Sequence, residues 1–291
     1  MKRAAMMIAM LGLITWSFAQ SALAQGGDKP AGQSTPPTAP AGQAGGQAAA
    51  TAPAGKRPPQ AKTQPEFDAY KTAAAITDPS AQEKAAADFA AKYPDSELRP
   101  VLYKGVMHSY QQANNADNMM EMAQKVLSYD PDDPEALIGV AQVLAERTRE
   151  SDLDRDQRLA EAKKDAEHAL STVDTDLPTS GYPPEQLKAF KDFLKSDAYA
   201  ILGTIDFNQK NWASAEGNLK KSIDAYPQQP DPIAIFRLSV ALDMQSKYPE
   251  AMKYANQAVD LTKEGTGAGD AARKEKDRLT QLMGGSTPPA K

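Results

Sequence analysis

SDAYAILGTIDFNQKNWASAEGNLKKSIDAYPQQP, residues 196 to 230, reads as two short helices joined by a tight turn. Tyr199, Leu202 and Gly203 fall on one face of the first helix, and Ala215, Leu219 and Ser222 follow on the second. Pro227 closes the unit. Gly203, Ala215 and Ser222 are small where two antiparallel helices must cross, because a bulky side chain there would hold the backbones apart. Twelve residues separate Gly203 from Ala215, seven more reach Ser222, and five more reach Pro227.

The spacing recurs outward in both directions. Downstream, Ser239, Ala251 and Ala258 hold it, with Ile235, Leu238 and Leu242 as the apolar first-helix face and Lys263 in place of the closing proline. Upstream, Tyr103, Val106, Met107 and Tyr110 are followed by Met119, Val126 and Pro131 at the same intervals. Leu137, Val140, Ala141 and Leu144 then repeat at a 34-residue offset, and Ala162, Ala166 and Ala169 arrive nine residues late. Helical periodicity with little β-branched alternation predicts helices over 66–76, 80–93, 97–114, 116–129, 134–150, 155–173, 184–209, 212–226, 231–246, 248–262 and 269–283. Breaks fall at Tyr93-Pro94-Asp95, Asp130-Pro131-Asp132 and Tyr226-Pro227-Gln228.

This pattern resembles the tetratricopeptide repeat (TPR), a helix-turn-helix unit of 34 residues with small residues at the crossing and a terminal proline. The resemblance covers Pro65 to Met283 and implies an all-α, right-handed superhelical solenoid, to which composition adds a disordered N-terminal arm. Met107, Met119, Asp206 and the nine-residue insertion depart from the family pattern. The stretch Phe89-Ala90-Ala91-Lys92-Tyr93-Pro94-Asp95-Ser96-Glu97 is similar to a segment in periplasmic TPR proteins of the outer-membrane-assembly and Tol-Pal coordinator types.

Address and charge bound the function classes. Lys2 and Arg3, the apolar run from Ala4 to Ala19, and Ala22-Leu23-Ala24 predict a secretory signal over residues 1–24, cleaved before Gln25. Membrane contact is then transient, and the expected location is periplasmic or secreted. With no cysteine in the chain, disulfides, thiolate nucleophiles and Cys-based zinc sites are excluded. Residues 25–64 are almost wholly Ala, Gly, Pro, Gln and Thr, without one large apolar side chain, and predict a disordered linker; 284–291 repeats that chemistry as a tail. The repeat domain, 65–283, carries 26 Lys or Arg against 37 Asp or Glu, a net −11 with no basic stripe, which argues against nucleic acid.

Motifs for chemistry are scarce. His108 and His168 stand 60 residues apart, outside any metal-binding pair. Asp152, Asp154 and Asp156 imitate a calcium loop, yet Gln157 and Arg158 take the place of its Gly and Lys163 that of its Glu. Gly265-Thr266-Gly267-Ala268-Gly269 lacks the Lys-Ser or Lys-Thr of a phosphate loop. No catalytic residue, cofactor or metal is expected. The TPR resemblance instead implies a groove lined by first-helix residues pointing away from the crossing. These are Lys104, His108, Gln111 and Asn115; then Ile138, Gln142 and Glu146; then Ala200, Thr204, Phe207, Asn208 and Asn211; then Phe236, Val240, Asp243 and Met244. Carboxamides there can pair with peptide backbone, and Phe207, Phe236 and Met244 can supply apolar anchors. Of the family's carboxylate clamp only Lys104 is matched, since His108 and Gly139 stand where clamp Asn residues would. The expected function is a non-catalytic adaptor or scaffold of the bacterial cell envelope binding a protein or peptide, with a passive spacer as the competing class and a hydrolase the poorest.

Overall fold

A computed structural model describes residues 55–178 and 183–284. Among them the chain forms eleven helices and no strand: α1 Gln64–Ala74, α2 Pro79–Lys92, α3 Arg99–Gln112, α4 Ala116–Tyr129, α5 Pro134–Arg147, α6 Arg155–Thr172, α7 Pro184–Asn208, α8 Trp212–Ala225, α9 Pro232–Asp243, α10 Tyr248–Leu261 and α11 Gly267–Gly284. Three of them open on the dipeptide Asp-Pro. Asp78, Asp133 and Asp231 accept from backbone N–H groups of the first turn while Pro79, Pro134 and Pro232 occupy its first position, where a missing N–H has no consequence. The expected signal sequence over 1–24 and the expected linker up to residue 54 lie outside the described residues, as does the tail from 285.

Consecutive helices pack in order, and α1 also touches α3, α5 touches α7, α7 touches α9, and α9 touches α11. This is a solenoid in which each pair covers the apolar face of the next. The small crossing residues do what their size requires. A Cβ on Gly203 would lie 2.6 Å from Leu219 Cγ, so α7 and α8 approach here only because position 203 has none. Ser196 Oγ donates to the Ser222 carbonyl at 2.8 Å, and Ser239 Oγ to the Ala251 carbonyl at 2.9 Å, so the crossing serines satisfy their hydroxyls across the contact.

The turns between first and second helices are also periodic. Asn114, Lys210 and Ser246 have φ of 54°, 62° and 60°, and the next residue's N–H in each case bonds the carbonyl five back: Asn115 to Tyr110, Asn211 to Asp206, Lys247 to Leu242. This left-handed stop ends α9 at Asp243, short of the expected 246, because Ser246 cannot continue a helix. The inserted 148–154 replaces the same turn between α5 and α6.

One expectation moves. The linker was expected to remain featureless to residue 64, but residues 55–62 are laid against the solenoid and Thr63 caps α1. Apart from Ala61, which packs against the core, the contacts are ionic and backbone, so they need none of the large apolar side chains whose absence predicted disorder. Lys56 Nζ meets Asp130 at 2.6 Å, and Arg57 forks onto Glu97 at 2.5 and 2.7 Å.

Candidate functional site

The first-helix face begins at α3 and α5. Lys104 reaches Asp133 and, at 2.9 Å, Glu135; His108 Nε2 lies 3.1 Å from the other oxygen of Glu135. Glu135 is 7% exposed and His108 9%. Burial disfavours the Lys104 charge, but the two carboxylates outweigh it and hold the ammonium above its ordinary value. Burial likewise opposes the Glu135 charge, yet Lys104 and His108 bring its carboxyl down to about 2. Asp133 goes the other way: burial, reinforced by Glu135 and only partly offset by Lys104, raises it. This closed network uses Lys104 and His108 to seat the first turn of α5, so their polar atoms face inward rather than toward a ligand.

One turn further along, the face opens. The carboxamide of Gln111 recurs at Gln142, and the two half-buried side chains share a cavity of about 180 Å³ with Asn114, Glu146 and Arg147, floored by Met119 and Val143. Gln142 Nε2 donates to Glu146 at 3.3 Å. Leu194 and Asp197 of α7 join His108, Gln111 and Gln142 around a neighbouring space of about 20 Å³, so α7 walls this part of the face.

The remaining expected residues divide by role. Asn115 accepts from the Asn118 N–H and caps α4. Thr204 is buried, donates to the Ala200 carbonyl and accepts from Arg237 Nη1 at 2.8 Å. Asn208 donates to the Ala145 carbonyl at 3.3 Å, tying α7 to α5. Asn211 is exposed at the start of α8, its amide on Gln209. Phe207 meets Trp212 edge to face at 5.4 Å between ring centroids. Phe236 is half-buried against the cluster of Ile235, Ala258 and Ala272, and Met244 is 52% exposed. Asp243, also expected in the groove, is buried and paired with Arg278 of α11.

Two residues went unnoticed in the sequence. Glu135 looked like an ordinary acidic first-turn residue, and only the fold turns it toward Lys104. Arg237 left a readable signal, being the single cation in PIAIFRLSVALD. Burial lowers its guanidinium below the usual value, against the pull of Glu146 and Asp231.

With the repeated crossings, turns and inner face in view, the architecture is decided. The chain has the fold of a tetratricopeptide-repeat protein. No protein-family model matches it, and no curated protein does. Among solved structures, the TPR array is similar to that of Pseudomonas aeruginosa PilF, with a TM-score of 0.50 and 15% identity over 77% of this chain and 96% of the other. PilW, a widely conserved type IV pilus biogenesis factor, gives 0.44 at 19% identity over 77% and 96%. Acl4, an assembly chaperone of RpL4, gives 0.35 at 13% over 75% and 98%. At such identities the likeness concerns the fold alone. No described helix of the TPR array is long and apolar enough to cross a membrane.

Proposed function

We propose that this protein is a non-catalytic adaptor of the bacterial cell envelope that holds a segment of another protein along its first-helix face. The observation that carries this reading is the open cavity where Gln111 and Gln142 project from α3 and α5. Each carboxamide offers both a donor and an acceptor, the complement of a peptide unit, and two of them on successive first helices match an extended backbone better than a compact ligand. Exposed Met244 and half-buried Phe236 extend the face with apolar surface. The envelope location rests on the signal-like residues 1–24.

The test is affinity capture from envelope extract with the mature chain and with Gln111→Ala/Gln142→Ala. These half-buried positions carry little packing, so the variant keeps its helical circular dichroism. A protein retained by the wild type and lost by the variant supports the reading. Retention unchanged by the double substitution removes this face from the function, and a wild-type chain that captures nothing specific leaves the spacer.

A further inference from the structure

The loops that lead into α3, α5 and α7 meet at one edge of the solenoid around a cavity of about 460 Å³, and residues 55–60 lie across it. Its wall is strongly acidic. Asp95, Glu97, Asp130, Asp133 and Asp176 line it, against Arg99 and Lys104 from the solenoid itself. Lys104 is committed to Asp133 and Glu135, and Arg99 lies over the Tyr129 ring at 4.4 Å and donates to the Ser96 carbonyl. Among the described residues, every cation paired with Glu97, Asp130 or Asp176 comes from residues 55–60, which form a strap over the edge.

The strap sits as an extended ligand would. Its Lys56 N–H donates to the Thr175 carbonyl at 3.0 Å, Lys56 and Pro178 form an isolated parallel bridge, and the Gln60 N–H donates to Glu97 at 3.2 Å. Lys56 Nζ spans Asp130 at 2.6 Å and Asp176 at 3.8 Å, while Arg57 grips Glu97 with two nitrogens. Main-chain bonds to an exposed edge with charged side chains choosing the register is a recurring way to recognise extended peptides. Yet no residue from 55 to 64 is buried. Solvent-exposed ion pairs contribute little each and are screened by salt. What keeps the strap in place is its short connection to α1, which makes its binding intramolecular.

We propose that this acidic edge is a docking channel for an extended partner segment bearing two adjacent basic residues followed by proline, and that Lys56-Arg57-Pro58-Pro59 is a built-in competitor for it. Charge complementarity selects the chemistry: with the strap lifted, Glu97, Asp130 and Asp176 face solvent without cations, on a domain of net −11. Proline suits the occupant, because an extended segment loses little freedom there and its missing N–H is not called upon. This surface is separate from the Gln111 and Gln142 cavity and stands whether or not that face binds a partner.

The experiment uses the full mature chain and a fluorescent synthetic peptide of residues 55–62, followed by anisotropy. Lys56→Glu/Arg57→Glu repels the strap from the edge, so this variant should bind the peptide about tenfold or more tightly than the wild type, whose channel is already filled. The gain should fall as salt rises. Adding Glu97→Gln/Asp130→Asn should abolish it, whereas Gln111→Ala/Gln142→Ala should leave it intact. Equal affinity for wild type and released chain overturns the proposal, as does binding that survives loss of the two carboxylates. A wild-type chain that dimerises while the charge-reversed chain stays monomeric overturns the intramolecular assignment and seats a second copy's strap in the channel. Helical circular dichroism confirms that each variant is folded.

Discussion

Gly203→Ala and Gly217→Ala are the same chemical change in neighbouring helices of one repeat, and they should move stability in opposite directions. A methyl on Gly203 would stand 2.6 and 2.7 Å from Cγ and Cδ2 of Leu219 and 3.2 Å from its backbone nitrogen. Carbon atoms settle at about 3.5–4.0 Å, so roughly 1 Å must be found. Leu219 is fully buried and cannot swing outward, which leaves α7 and α8 to separate. Overpacking of this kind costs about 1–3 kcal/mol, and the better helix propensity of Ala returns about 1 kcal/mol. At Gly217 nothing lies within 4 Å, so only the propensity gain of about 1 kcal/mol remains. Because propensity enters both variants alike, their difference isolates the clash, about 1–3 kcal/mol. Urea unfolding followed by circular dichroism, with unchanged m-values, reads that difference directly. A double-mutant cycle adding Leu219→Ala should show positive coupling, since the smaller partner makes room for the methyl. Equal stability of the two glycine variants, or strict additivity in the cycle, would refute the claim that position 203 sets the helix spacing.

Glu216 accepts from Lys220 one turn along α8 at 2.7 Å, and is joined to the turn before α10 by Lys247 at 2.7 Å and Gln245 at 2.9 Å. Burial pushes its carboxyl up, but these three donors prevail and bring it from 4.5 to about 2. A depressed acid stabilises the fold above its unfolded value and loses that contribution as pH falls toward the folded one. The urea-midpoint gap between wild type and Glu216→Gln should therefore be full at neutral pH and close between about 4.5 and 2. Ser246 holds a φ of 60° at the end of α9, a conformation that penalises side chains by about 1 kcal/mol, so Ser246→Gly should raise the urea midpoint; an unchanged or lower midpoint refutes the turn assignment.

How much of this was legible follows from what each feature depends on. The eleven helices and their breaks were readable because periodicity, proline-marked breaks and small crossing residues are local signals that repeat. Gly203, Ser222 and Ser239 took the positions their spacing implied, whereas the contact of Ser196 with Ser222 came only from the fold. Site residues were harder. Lys104 and His108 carry the polarity a groove requires, and sequence alone cannot tell a ligand-facing cation from one paired with Glu135, since that pairing spans 27 to 31 residues and depends on how α3 meets α5. The strap was missed for a related reason. Composition measures the apolar surface a segment can bury, whereas residues 55–62 are held by carboxylates gathered from three distant loops.

The insertion and the long α7 also explain why the inner face is not uniform. α7 has 25 residues where its neighbours in the array have 12 to 18, and the surplus lies before Ser196, the first crossing residue. Phe190, Phe193 and Leu194 in that surplus are buried, so it is a packed extension of the helix rather than a linker. Leu194 and Asp197 then reach the space beside His108, Gln111 and Gln142, while Asn208 at the other end of the same helix bonds Ala145. A 34-residue spacing throughout would have left α3, α5 and α7 side by side with an unbroken channel between them. Instead Leu194 and Asp197 bring α7 up to His108 and leave Gln111 and Gln142 at its margin, while Lys104 lines the acidic edge. The surfaces still open are therefore the carboxamide cavity on one side and the acidic edge under residues 55–60 on the other, and α3 contributes to both, through Gln111 to the first and through Arg99 and Lys104 to the second.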